Sequence, residues 1–170
     1  YGTRVIPPLL ASFTASHPLI QIEIETGLTY SMPARLGDTL DVVVAMHPEG
    51  RGKGEFLRRE QAVWAAAASY AIGQQEPLPV ALYPQGCLFR KWAMEALDAA
   101  GRPFRLAYVS RNLAAVESIA AEGLAVTVVK AGTLPATLRP LSDRDGMPRL
   151  PAAEICLHRA PNLSQAGFLL

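Results

Sequence analysis

The sequence predicts an α/β protein of two lobes, and three features predict it. Strand-like and helix-like apolar patterns alternate along the chain. The stretch AYVSRNLAAVESIAAEGLAVTVV at 107–129 reads as a complete strand–helix–strand unit. A Gly-rich charged segment, HPEGRGKGE at 47–55, separates two such groups of elements.

Taken in order, residues 3–15 carry Val5, Ile6, Leu9, Leu10 and Phe13 at helical spacing, with Pro7 and Pro8 implying an irregular turn early in the helix. In HPLIQIEIETG, Ile20, Ile22 and Ile24 alternate with polar residues, the pattern of a strand with one wet face. A short helix over Ser31–Gly37 precedes an apolar strand, LDVVVAM, at 40–46, and the loop 47–55 follows. AVWAAAASY at 62–70 is strand-like, LPVALY at 78–83 is a strand, and CLFRKWAMEALDAAG is a helix stopped by Gly101.

Phe104–Val109 is the next strand. Leu113, Val116, Ile119 and Ala120 form one helical stripe, Gly123 ends that helix, and 124–129 is apolar enough for a strand covered on both faces. Residues 139–153 are Pro-rich and irregular, EICLHR at 154–159 is a last strand, and LSQAGFLL is a closing helix.

The polar triplet Ser110, Arg111 and Asn112 stands at the handover from strand to helix. A strand–helix–strand crossover is right-handed with parallel strands, so the triplet falls at the carboxyl end of a strand and the amino end of a helix. Ligands of open α/β sheets gather at that edge, where free N–H groups and the helix dipole favour an anion. The plainer reading is that Asn112 caps the helix and Arg111 is solvated. YPQGCLFR repeats the arrangement, with Gly86, Cys87 and Leu88 at a second helix start.

Composition excludes several functions. Half of the 170 residues are hydrophobic, the formal net charge is +1 and the mean hydropathy +0.17, which suits one globular unit or two small lobes. No apolar run approaches the roughly 20 residues of a membrane helix and no leader opens the chain, so a cytoplasmic setting is expected. With 16 basic against 15 acidic residues the chain lacks the electrostatic footprint of nucleic-acid binding. Cys87 and Cys156 form no CxxC pair and have no neighbouring His, which argues against a metal site or a disulfide framework. His17, His47 and His158 do not fall into a nucleophile–base pattern, and GxGxxG, GxxxxGK[ST] and HExxH are all missing. Binding is favoured over catalysis, with no cofactor.

From IPPLLASFTASHPLIQIEIETGLT through LDVVVA, then CLFRKWAMEALDAAGRPFRLAYVSRNLAAVESIAAEGLAVTVV, to LPAAEICLHRAPNLSQAGFLL, the chain resembles the effector-binding domain of LysR-type transcriptional regulators over its full length. The resemblance implies a periplasmic-binding-protein-like fold of type 2, two Rossmann-like lobes joined by two crossover strands. Lobe I would be 1–66 plus 156–170 and lobe II 67–155. The family's N-terminal winged helix-turn-helix, and the first strand of the effector domain, lie outside this chain. DNA would be bound only through that missing domain.

The implied ligand is a small effector in the cleft, lined by Thr29, Met46 and His47 on one wall and by Gly86, Cys87, Leu88, Ser110, Arg111, Asn112 and Lys130 on the other. Arg111 and Lys130 point to a carboxylate. The resemblance also implies a homodimer through the helices at 3–15 and 88–99, with Trp92 at the contact. Two other readings share these features: a solute-binding protein of a transport system, and a thiol redox switch at Cys87, whose place at a helix start would lower its pKa.

Overall fold

The computed structural model describes residues 2, 4–28, 31–73 and 76–163. Helix α1 spans Ile6–Ser16, and Pro7 and Pro8 lie inside its first turn instead of forcing an irregular turn. The N–H groups they lack have no intrahelical partner there in any case. Residues 20–25, expected as a strand, pair with no strand among the described residues. Alternation makes a segment amphipathic, but only a lateral ladder makes it a strand. The expected helix at 31–37 is a 3-10 turn, Met32–Arg35, whose Arg35 holds Glu25 at 2.6 and 2.8 Å.

Strand β1, Val42–Pro48, and the long strand β2, Glu55–Ala67, leave only 49–54 as loop. β2 begins well before the expected position, and its first half, EFLRREQ, carries no apolar stripe that would mark it as a strand. Its residues 55–61 pair instead with β7, Ala152–Arg159. The remaining elements are β3 (Leu78–Leu82), α2 (Leu88–Ala99), β4 (Phe104–Val109), α3 (Leu113–Ala121), β5 (Thr127–Lys130) and β6 (Leu138–Leu141). β6 and a 3-10 turn at Asp143–Asp145 replace much of the irregular segment expected at 139–153, and β7 starts two residues early. The closing helix expected at the C-terminus falls almost wholly outside the described residues.

Two strands tie the molecule together. β2 pairs antiparallel with β7 through its first half and with β5 and β6 through its second, while β7 pairs with β1 along its whole length. β3 pairs parallel with β4. On its other side it meets the entry to β5, through Val126 N–H to Pro79 O at 2.9 Å and Ala81 N–H to Val126 O at 2.8 Å. The strand–helix–strand unit predicted at 107–129 is therefore present, but its two strands flank β3 instead of touching.

The period-2 rule sorts the core. Ala62, Trp64 and Ala66 of β2, Val80 and Leu82 of β3, and Val126 and Val128 face α2, where Phe89, Trp92, Ala93 and Leu97 meet them. Ala81 and Ala125 face Val116 of α3, and Ala65 and Val129 face Ala120. Thr127 is buried on that second side, and its hydroxyl donates to Ala81 O at 2.7 Å. Trp92 is thus a core residue, not the surface contact the sequence suggested. α1 contrasts with α2, for none of its residues is buried.

Candidate functional site

β3 leads into α2 on one face of the sheet, and the chain reaches β5 by way of α3 on the other. Strand order reverses between β3 and β5, so their carboxyl ends adjoin at the edge where open α/β sheets bind ligands. β3 delivers Tyr83 and Cys87 there, and β5 delivers Lys130.

Residue parity sets the rest. Lys130 shares the face of Val126 and Val128, so its ammonium comes over the Phe89 ring, 5.6 Å from the centroid, in the first turn of α2. Across the β2–β5 ladder Lys130 is the partner of Ala62, so the same-face residue one step further along β2 is Glu60. Glu60 is only 2 % exposed. Its carboxylate accepts from Gly132 N–H at 2.8 Å and pairs with Arg58 at 3.1 Å. Gly132 has no room for more: a Cβ there would stand 2.6 Å from Arg58 Nη2 and 2.8 Å from Glu60 Oε1.

A second ion pair closes the far side. Arg4, just before α1, donates to Glu117 Oε2 of α3 at 2.7 Å and to Thr133 O at 2.6 Å. Burial works against charge at Lys130, Glu117 and Tyr83. It lowers the Lys130 ammonium, opposed by Glu60, Cys87 and Glu117. It raises Glu117, opposed by Arg4 and Lys130, and it raises the Tyr83 phenol. Lys130 thus stands among Glu60 and Glu117 in a partly desolvated space, with the more exposed Arg58 and Arg4 paired to those two carboxylates.

Cys87 is the N-cap of α2. Burial raises its thiol, and the N–H groups of Arg90 and Phe89, Lys130 and the Arg90 charge only partly offset this. The lowered pKa expected of a thiol at a helix start is therefore not found: desolvation outweighs the helix terminus. Both cysteines are free.

The other expected residues fall in several places. Gly86 supplies a left-handed turn (φ 92°) ahead of the cap, and Leu88 opens α2 against the main core. Ser110 docks to the end of β3 through its N–H to Leu82 O at 3.2 Å, and its hydroxyl accepts from Asn112 N–H at 3.1 Å. Asn112 accepts from Ala114 N–H at 3.0 Å, so it does cap α3, while Arg111 is exposed beside it. Met46 packs onto the α2-side core. His47, one residue on, takes the opposite face of β1 and meets His158, so these two do not share a wall. Thr29 lies outside the described residues.

Arg4, Glu60 and Glu117 were not foreseen. Glu60 had a signal: it continues the inward positions 62, 64 and 66 of β2, where a carboxylate is out of place. An open depression of about 290 Å³ beside Gln61–Trp64 and Met147–Leu150 is a weaker candidate. Its polar groups are engaged, with Trp64 Nε1 donating to Pro148 O at 2.8 Å and Gln61 Nε2 to Leu150 O at 2.8 Å.

Residues 1–163 match the LysR substrate binding domain family. The chain belongs to that family. It is 32 % identical over 172 residues to the HTH-type transcriptional regulator DgdR of Burkholderia cepacia, a match covering 99 % of the chain and 58 % of DgdR. The LysR domain described here therefore spans little more than half of that relative. It also superimposes on the C-terminal domain of a probable LysR family regulator from Rhodococcus sp. RHA1, with a TM-score of 0.69 at 18 % identity, covering 98 % of this chain and 90 % of that one. The regulatory domain of CcmR from Synechocystis PCC6803, in complex with 2-PG, gives 0.66 at 16 % identity over 96 % and 86 % of the two chains. The fold is the type 2 periplasmic-binding-protein-like fold of LysR effector-binding domains.

Proposed function

We propose that this LysR domain is the ligand-sensing part of a DNA-binding transcription factor, and that its effector is a small carboxylate held at the carboxyl ends of β3 and β5. The observation that carries the reading is Lys130, a cation drawn into a partly desolvated crevice between Phe89, Glu60 and Glu117. Beside it the first turn of α2 offers N–H donors, and Ser110–Asn112 stand at the start of α3 with Arg111 exposed. The 2-PG bound by the CcmR domain is consistent with a small effector.

The two lobes would be 1–66 with 156–170, and 67–155, joined by β2 and β7. A ligand touching both would favour one closure over another, by no more than its difference in affinity for the two states. Arg4, which reaches from the start of α1 to α3, would be one of the groups rearranged. The unburied α1 suits a homodimer, DNA would be contacted only through an N-terminal domain, and the setting would be the cytoplasm. The raised thiol of Cys87 does not favour a redox switch.

A thermal-shift screen tests this. Small carboxylates should raise the melting temperature of the domain where matched amines and neutral analogues do not. The hit should bind roughly 10- to 150-fold more weakly to Lys130→Met, the loss of one charged hydrogen bond. A carboxylate that binds the variant as well as the parent would refute the assignment of Lys130.

A further inference from the structure

Beyond the effector crevice, a second cluster sits on the opposite face of β1. The β1–β7 register places Val43 opposite His158, Ala45 opposite Cys156 and His47 opposite Glu154, so all six side chains share one face. His47 and His158 lean toward each other over the central Ala45–Cys156 pair until their Nε2 atoms are 2.9 Å apart, with ring planes tilted by 53°. The loop 49–54 closes over this face at two glycines. A Cβ on Gly54 would come within 2.9 Å of the His158 ring, and one on Gly52 would press on the Cys156 sulfur and lie 3.7 Å from His47 Cδ2. The loop thus passes close to the two rings at glycines, where a side chain on Gly54 would collide with His158.

We propose that His47 and His158 form a two-imidazole site for a late first-row divalent cation, Ni²⁺, Cu²⁺ or Zn²⁺, with water completing the coordination. Imidazole nitrogen is a preferred ligand of these ions. Two nitrogens each about 2.1 Å from one metal ion lie about 3.0 Å apart at a right angle and about 3.4 Å apart at the tetrahedral angle. The observed separation matches the first, provided that each ring turns by about 45° so that its Nε2 lone pair leaves the N···N line and points to the shared ion. One ring now donates its Nε2 proton to the other; on metal binding that ring takes the Nδ1–H tautomer and both Nε2 lone pairs face the ion. No group of three or more His, Cys, Asp or Glu among the described residues could hold a metal. The described residues therefore supply two ligands, and the site is exchangeable, favouring Cu²⁺ and Ni²⁺ in the usual order of stability.

The test is calorimetric titration of the full chain with NiCl₂, with MgCl₂ as control. One Ni²⁺ should bind per chain, and free Ni²⁺ at a hundred times its Kd should raise Tm by about 5 to 10 °C. Either His47→Gln or His158→Gln should weaken binding at least 10-fold, while His17→Gln and Cys87→Ser leave it unchanged. No binding at millimolar Ni²⁺, binding that survives both histidine substitutions, or binding lost with Cys87→Ser would each overturn the proposal. A measurement on the unaltered protein guards against misfolded variants. Substoichiometric Cu²⁺ should show nitrogen splitting from two imidazoles in its electron paramagnetic resonance spectrum, and a spectrum without it would equally refute the site.

Discussion

Glu60→Ala and Lys130→Met each remove one charge from the crevice, yet they should differ sharply in cost. Glu60 is 2 % exposed, accepts from Gly132 N–H and pairs with Arg58. Its loss leaves the Lys130 ammonium drawn into the crevice without that nearby anion and takes away the acceptor of the Gly132 amide. Breaking a buried pair in this way costs about 3 to 5 kcal/mol. The lower end applies because Arg58 and Gly132 are near solvent, so about 3 kcal/mol is expected. Lys130→Met leaves Glu60 with both Arg58 and Gly132. It also removes an ammonium whose pKa is lowered by burial. A lowered lysine pKa means that charging it in the folded state is costly as pH falls below the ordinary value, so the methionine relieves a cost present at neutral pH. Its net change should stay below about 1 kcal/mol. For a domain of this size about 3 kcal/mol corresponds to a fall in Tm of roughly 6 to 12 °C, readable by circular dichroism melts. Equal losses for the two substitutions, or a Glu60→Ala protein that melts with the parent, would refute this account of the crevice.

Three further outcomes are expected. Stability should fall as pH drops below about 6.5, because the lowered pKa of His158 makes the folded state bind its proton less readily than the unfolded chain does. His158→Gln should flatten that part of the profile in pH-dependent urea melts. Gly132→Ala should cost about 1 to 3 kcal/mol, since its Cβ would displace the Glu60 and Arg58 side chains, and equilibrium unfolding at unchanged slope would measure it. Cys87, with its thiol raised by burial, should alkylate with iodoacetamide at pH 7.5 more slowly than a free cysteine model compound, and a faster reaction would show that the thiolate is favoured after all.

The elements read correctly from the sequence are those whose own residues decide them. LPVAL is a run buried at every position, and α2 and α3 each carry an apolar stripe with a left-handed glycine, Gly101 or Gly123, just beyond the end. EFLRREQ failed as a strand because its pairing with β7 is made by backbone, and no stripe betrays it. QIEIE failed in the opposite sense: it has the stripe but lacks a neighbour among the described strands. The same contrast runs through the crevice. Cys87, Ser110 and Asn112 were visible because helix starts leave a local mark in capping and turn residues, whereas Arg4 and Glu117 meet across 113 positions of chain and leave none.

By itself, then, the sequence determined the alternation of strand and helix, the handover at Ser110–Asn112, and, through resemblance, the LysR family. All of these are set by local periodicity or by the order of motifs. The tertiary structure decided which charges share a space. The β2–β5 register sets Lys130 beside Glu60, and the β1–β7 register brings His47 to His158. Register is fixed by the core as a whole, because a one-residue slip would turn every side chain to the other face. No short stretch of sequence carries that information.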